Sequence, residues 1–347
     1  MPLSLNRRSI LTALAGACLG VPGLARAQDG VLSGAGSSFV GAVMKRWIEQ
    51  TPASIGMPLS YAAVGSGNGQ NKILAREVDF ALSDDPMAPE KLANGQLIQF
   101  PFVFGGVTCV VNLPGLANEQ LQLTGELLAG IYGGAIKTWS DPKIAAANAG
   151  VTLPDLEIRP VNQSTPNGPM SGTTYTFTQY LLATNADWRA KHGTEVKRRW
   201  AVGSMVATAD NMTETMKVLT GAIGYVPIAA AVSNKLTTVK LMNKSGNAVA
   251  ASSASLAAAV NQVDWTKPSA LLPTLIDLPG DASWPITVVT YGLIPRMPRD
   301  AAHGEALKAF FKNIVANGGE TAAQFHAAVL PASARPMVMG LLDQVAA

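Results

Sequence analysis

Three short stretches place small hydroxyl and glycine residues just ahead of a helix-like pattern: SGAGSSF (33–39), VGSGNGQ (64–70) and MSGTTY (170–175). Glycine lets a backbone approach a bound group closely, and a Ser or Thr hydroxyl beside a helix start can donate to it. A helix N-terminus also leaves its first N–H groups unpaired and carries the positive end of the helix dipole, so each turn could hold an anion. Plain N-capping accounts for any one such turn. Three in one chain are more informative, because helix starts at the carboxyl ends of parallel strands converge on the crevice where ligands bind. Asp84, in FALSDDPM beside Asp85, ends a strand-like run and would put a carboxylate at that crevice; a turn or cap acid is the competing reading. The third turn poses a question of its own. No charged residue lies between Arg159 and Tyr175, so an anion there would meet no cation.

Other chemistries find little support. The glycines do not fall as G-x-G-x-x-G, and neither a P-loop, an H-E-x-x-H nor a G-x-S-x-G elbow occurs. His192, His303 and His326 are scattered, so neither a metal centre nor a cofactor is expected. SDPK (140–143) matches a bare S-x-x-K pattern without its companion elements, and Ser140 ahead of Pro142 reads more simply as a helix cap. The expectation is a binding protein, not an enzyme. Cys109 sits in the apolar run GGVTCVVNL, where an inert buried thiol belongs.

Elements that could position these turns alternate along the chain. GAVMKRWIEQ (41–50) spaces its apolar residues as an amphipathic helix, and PLSYAAVGSG reads as a strand ending in glycine. NKILAREV reads as a short helix, DFALSDDP, GGVTCVVNLPG and WPITVVTYGLIP as strands, and EALKAFFKNIVANGG as a helix with a glycine stop. AVAASSASLAAAV reads as a surface helix. Such alternation implies α/β layers with largely parallel sheets. At 347 residues, 48 % hydrophobic and 14 % charged, the chain suits about two globular domains.

The first 27 residues read as an export signal: Arg7 and Arg8, an apolar run Ile10–Leu19, and Ala25-Arg26-Ala27 predicting cleavage before Gln28. Lipid anchoring at Cys18 is the lesser alternative, since Ala15 stands where a lipobox carries Leu. Setting the leader's three arginines against the 26 basic residues leaves 23, equal to the 23 acidic ones. The basic balance therefore belongs to the leader, and no nucleic-acid partner is expected.

Several of these segments together resemble the periplasmic phosphate-binding proteins (PstS) of bacterial phosphate ABC importers. GAGSSFVGAVMKRW is similar to that family's opening G-A-G-A-T-F-P segment and first helix, and VGSGNGQNKILAREVDFALSDDPM to its G-I-G-S-S-G-G…V-D-F-G-A-S-D-x-P. QFPFVFGGVTCVVNLPGL, IYGGAIKTWSDPKI, GAIGYV and WPITVVTYGLI follow in the family's order. The resemblance implies a two-lobed type II periplasmic-binding fold, each lobe a mixed, mostly parallel sheet flanked by helices, with the chain crossing twice between lobes. It puts residues 28–104 and 288–347 in lobe 1 and 105–287 in lobe 2. It also implies a periplasmic monomer that hands phosphate, or a related protonated oxyanion, to importer permease subunits.

Position by position, the resemblance makes Ser38, Phe39, Ser66, Asp84, Ser171, Gly172 and Thr173 the ligand-binding residues. Ser38 and Phe39 would offer a hydroxyl and a backbone N–H, Ser66 a hydroxyl, and Ser171–Thr173 a helix start. Asp84 would accept the proton of bound hydrogen phosphate. An ionised carboxylate only accepts hydrogen bonds, so it admits a protonated oxyanion and repels sulfate. One segment departs: the family writes R-x-D-G-S-G-T, whereas Asn167, Gly168, Pro169 and Met170 precede Ser171 here. The Arg and its Asp are missing together. Asn162, Gln163 and Asn167 are the neutral donors nearby, and a polar neutral or monoanionic organic ligand, or a sensor or structural role without transport, remain the alternatives.

Overall fold

A run of fifteen residues, Leu97–Val111, stays extended from end to end and sets the architecture of this computed structural model, which describes residues 30–164, 171–192 and 200–346. The strands are β1 (Leu32–Gly36), β2 (Leu59–Ala62), β3 (Phe80–Ser83), β4 (Leu97–Val111), β5 (Gln122–Leu123), β6 (Arg159–Gln163), β7 (Ser204–Val206), β8 (Ala222–Pro227), β9 (Thr237–Thr238), β10 (Lys240–Met242), β11 (Ala248–Val249), β12 (Thr287–Pro295) and β13 (Ala328–Val329). The main sheet runs β2-β1-β3-β12-β4-β8-β6-β7, with β9 and β13 also on β4, while β11-β10-β5 form a small sheet. Pairing is parallel among β1, β2 and β3 and among β6, β7 and β8, and antiparallel around β4 and β12. The fold is a mixed α/β one, two-lobed about these middle strands.

The hand-over lies inside β4. From Leu97 to Gly106 it pairs with β12, and from Val107 to Val111 with β8. Two hydrophobic cores follow that division. One packs Phe80, Phe100, Phe102, Phe310 and Phe311, with Phe311 meeting Phe80 and Phe100 edge-on. The other packs Tyr132, Trp139, Phe177 and Tyr225, with Phe177 stacked on Tyr225 at 4.3 Å between ring centres. The first also takes Val260, Trp265, Ala270 and Leu275, and residues of the C-terminal helix Arg335–Leu342. Phe39 packs against both.

Local structure follows the sequence signals with instructive exceptions. The helix Gly41–Gln50 buries Val43, Met44 and Trp47, the stripe its spacing predicts. The Ala/Ser-rich helix Ser253–Val260 lies at the surface but has a buried face: Leu256 and Ala259 are wholly buried, Ala254 is exposed, and Ser252 and Ser255 close a capping box. Small side chains hid a buried face whose spacing carries little contrast. The cap of helix Pro142–Ala147 is Asp141, accepting from Lys143 N–H, whereas Ser140 donates to Asp155. Cys109 is buried and free, its thiol pushed up by burial. The leader, Cys18 and Asn167–Met170 lie outside the described residues.

Candidate functional site: a cleft around a buried carboxylate

Asp84 sits where β3 ends, on a turn held from several sides. Ser83 Oγ accepts from Gln70 Nε2 at 2.9 Å and donates to Asp85 O at 2.6 Å, and Gln70 Nε2 reaches Asp85 O at 2.7 Å. Ser66 Oγ accepts the Asp84 N–H at 3.0 Å. The carboxylate is 6 % exposed and takes three hydroxyls: Thr290 on Oδ1 at 2.6 Å, and Ser37 at 2.7 Å and Ser66 at 3.3 Å on Oδ2. Burial raises its pKa above the ordinary carboxylate value; the hydroxyl bonds oppose the rise and the neighbouring Asp85 adds to it. Tyr61 donates to Ser37 O at 2.8 Å, and burial, then the Asp84 charge, push its phenol up.

The three turns meet at this carboxylate. The helix Ser66–Leu74 starts after Gly65, whose φ of +90° favours glycine, and it has no side-chain cap. It lies so close to β1 that a Cβ on Gly69 would collide with Gly36 Cα. The helix Gly172–Thr184 also starts without a side-chain cap, and a Cβ on Gly172 would collide with Asp84 Oδ2. Uncapped first turns leave their N–H groups to whatever fills the space ahead. Thr174 fixes the second helix: its hydroxyl donates to Gln163 O at 2.7 Å and lies 3.0 Å from the Tyr225 hydroxyl, which accepts the Gln163 N–H at 3.1 Å. Thr176 and Thr178 bond back to carbonyls one turn earlier, so a threonine-rich run stays helical.

The space ahead is a cleft of about 620 Å³. Ser38, Phe39, Ser66, Asp84, Ser171, Gly172 and Thr173 all line it, so the structure brings these seven to one place, whereas Asn162 does not line it and spends its Nδ2 on Val202 O at 2.9 Å. Two differ in detail: the Phe39 N–H bonds Ser37 Oγ at 3.1 Å, and the Ser66 hydroxyl donates to Asp84 Oδ2 at 3.3 Å. Residues that sequence reasoning missed are Ser37, Thr290 and Tyr61 behind the carboxylate, and Ser164, Thr208 and Asp210 on the opposite wall. Ser37 carries a usable signal, since it lies inside the first of the three glycine- and hydroxyl-rich turns. Gln163 lines the cleft at 8 % exposure, and its Oε1 has no partner. No Lys, Arg or His lines the cleft among the described residues.

A second cavity of about 370 Å³ lies on the other side of Asp84, walled by Tyr175, Gln179, Leu182, Leu275, Val289 and Tyr291 among others. Its walls are mainly apolar and it receives neither uncapped helix start, so the cleft is the place for a polar ligand. No group of His, Cys, Asp and Glu among the described residues could hold a metal ion.

Comparison with known proteins places this geometry. The family described as "PBP superfamily domain" matches residues 24–317. The chain is 36 % identical to the "Phosphate-binding protein PstS" of Xylella fastidiosa (strain Temecula1) over 300 residues, 86 % of this chain and 81 % of that one. It is 34 % identical to the "Phosphate-binding protein PstS" of Haemophilus influenzae over 306 residues, 88 % and 90 % of the two chains. Among solved structures, a "high affinity periplasmic phosphate-binding protein (PfluDING)" superposes with a TM-score of 0.68 at 20 % identity, covering 89 % of this chain and 93 % of that one. A "Phosphate binding protein (PBP) from Stenotrophomonas maltophilia" does so at 0.66 and 19 %, with the same coverage. The fold is shared with those structures, and the sequence kinship is with the PstS proteins: the chain belongs to the phosphate-binding protein PstS family of the PBP superfamily.

Proposed function

We propose that this protein is a periplasmic solute-binding protein that captures phosphate, or a related protonated oxyanion, for an ABC importer. The observation that carries the reading is the convergence of two uncapped helix starts and a buried, acceptor-only carboxylate on one cleft. Helix starts stabilise the anion, and Asp84 accepts the proton that hydrogen phosphate has and sulfate lacks. The kinship with proteins named for phosphate binding supports it. In this reading Ser38, Phe39, Ser66, Asp84, Ser171, Gly172 and Thr173 contact the ligand. The lobes are 28–104 with 288–347, and 105–287, with Val260, Trp265, Ala270 and Leu275 of the second packing on the first core, and they close on the ligand. The chain works as a monomer docked on permease subunits, after removal of residues 1–27. No helix among the described residues is long and apolar enough to cross a membrane. Titration calorimetry with phosphate tests the ligand: heat at micromolar phosphate is expected, and no heat at millimolar phosphate from folded protein removes it. Phosphatase activity abolished by Ser66→Ala would overturn the binding role.

One observation favours a second reading. With two carboxylates and no cation lining the cleft among the described residues, a neutral or monoanionic organic molecule rich in donors also fits. A thermal-shift screen separates the two, since a ligand at 100 times its Kd stabilises by about 2.7 kcal/mol. A response to phosphate alone excludes the organic ligand.

A further inference from the structure

The wall opposite Asp84 is built differently from the rest of the cleft. The helix Ala209–Val218 starts there, and unlike the other two it is capped: Thr208 Oγ1 accepts the Asn211 N–H at 3.1 Å. Asp210 stands in its first turn, exposed and lining the cleft, so this helix start presents a negative charge. Beside it Gln163 is buried to 8 % exposure with an unpartnered amide oxygen. A primary amide carries two donors and an acceptor, and either end can be turned to a ligand. The charged and titratable groups around the cleft are few. Asp84 and Asp210 line it; Asp85 and Tyr61 adjoin Asp84, Tyr175 lies near Asp85, and Tyr225 holds Thr174 and Gln163. On the helix of Asp210 itself, Glu214 and Lys217 pair with each other at 2.7 Å. No cation lines the cleft among the described residues, and residues 160–174 contain none.

Among the described residues, a dianion would therefore face two carboxylates with only helix starts and an amide to offset them. A monoanion with two protons meets an acceptor on each wall. We infer that Asp210 and Gln163 read the second proton of the ligand, so that the cleft selects the doubly protonated phosphate monoanion over the dianion. Asp210 accepts the hydrogen bond of that second hydroxyl, and the open Gln163 amide oxygen stands beside it as a second acceptor. The inference rests on the phosphate reading above and adds to it a specificity-determining wall.

Phosphate loses its second proton near neutral pH. A protein that takes only the monoanion has an apparent Kd that rises as the monoanion fraction falls, approaching tenfold per pH unit above that point. The test is phosphate calorimetry on wild type and Asp210→Asn at about pH 6 and about pH 8.5, with Kd expected to rise at least tenfold for wild type and under about threefold for the variant. Asn keeps an acceptor oxygen without the charge, and its exposed position beside an intact Thr208 cap spares the fold, as a cooperative melt will verify. A wild-type Kd independent of pH overturns the inference while leaving phosphate binding in place. An unchanged slope in Asp210→Asn overturns the role of Asp210 and transfers proton reading to Asp84. Absence of heat at both pH values from folded wild type overturns the phosphate reading itself.

Discussion

Asp84 has three of its roughly four acceptor positions filled by protein hydroxyls, which leaves about one for a ligand. That single vacancy is what makes it a discriminator rather than a general polar lining. Asp84→Asn should admit sulfate, because the amide can donate to an oxyanion with no proton; sulfate competition in calorimetry checks it, and an unchanged preference for phosphate excludes the role. The same residue shapes stability. A carboxyl whose folded pKa is raised adds stability below its unfolded value, near 3.9, and loses it as pH rises through the folded value. The apo melting temperature of Asp84→Asn should therefore gain on wild type as pH rises above about 4. Gln163→Arg would set a cation in the cleft. A charge-assisted hydrogen bond contributes roughly 1.5–3 kcal/mol, so phosphate should bind at least about tenfold tighter, read as Kd at low salt. The chemistry of Asp84 and the three turns was legible in the sequence because each sits in a compact local motif. Thr290 was not: it reaches Asp84 from 206 positions away, and nothing local marks it as a partner.

Among the elements, the close seat of the helix Gly172–Thr184 has a direct test. Gly172→Ala should weaken ligand binding at least about tenfold and destabilise by roughly 1–3 kcal/mol, because the new methyl meets Asp84. Gly340→Ala, in the helix Arg335–Leu342 with open space around it, should instead raise stability by about 0.4–1 kcal/mol. Thermal melts of the two variants check the contrast. Helix Gly41–Gln50 was readable residue for residue from its apolar stripe. Strand β4 is longer than the apolar run from Gly105 that the sequence marks, and it takes in Pro101 and the Gly105–Gly106 pair, residue types that usually break strands. The structure shows why they do not. Register with β12 shifts between Thr290 and Tyr291, so Phe102 is skipped and Pro101 sits beside the bulge, where a missing N–H costs little. The bulge also adjoins Thr290, the residue that bonds Asp84.

For the whole molecule, β4 belongs to both cores, and Phe39 touches each. The lobes share a strand rather than a linker, so calorimetry should show one unfolding transition, with phosphate moving it as a unit; two resolved peaks would refute this coupling. The first core also recruits Val338 and Leu342 from the end of the chain to pack around strands that begin at Leu32. In a chain made from its N-terminus onward, that core cannot close until Val345 has emerged. The other core draws on nothing beyond Val288, so its lobe can pack while the first still waits for its closing helix.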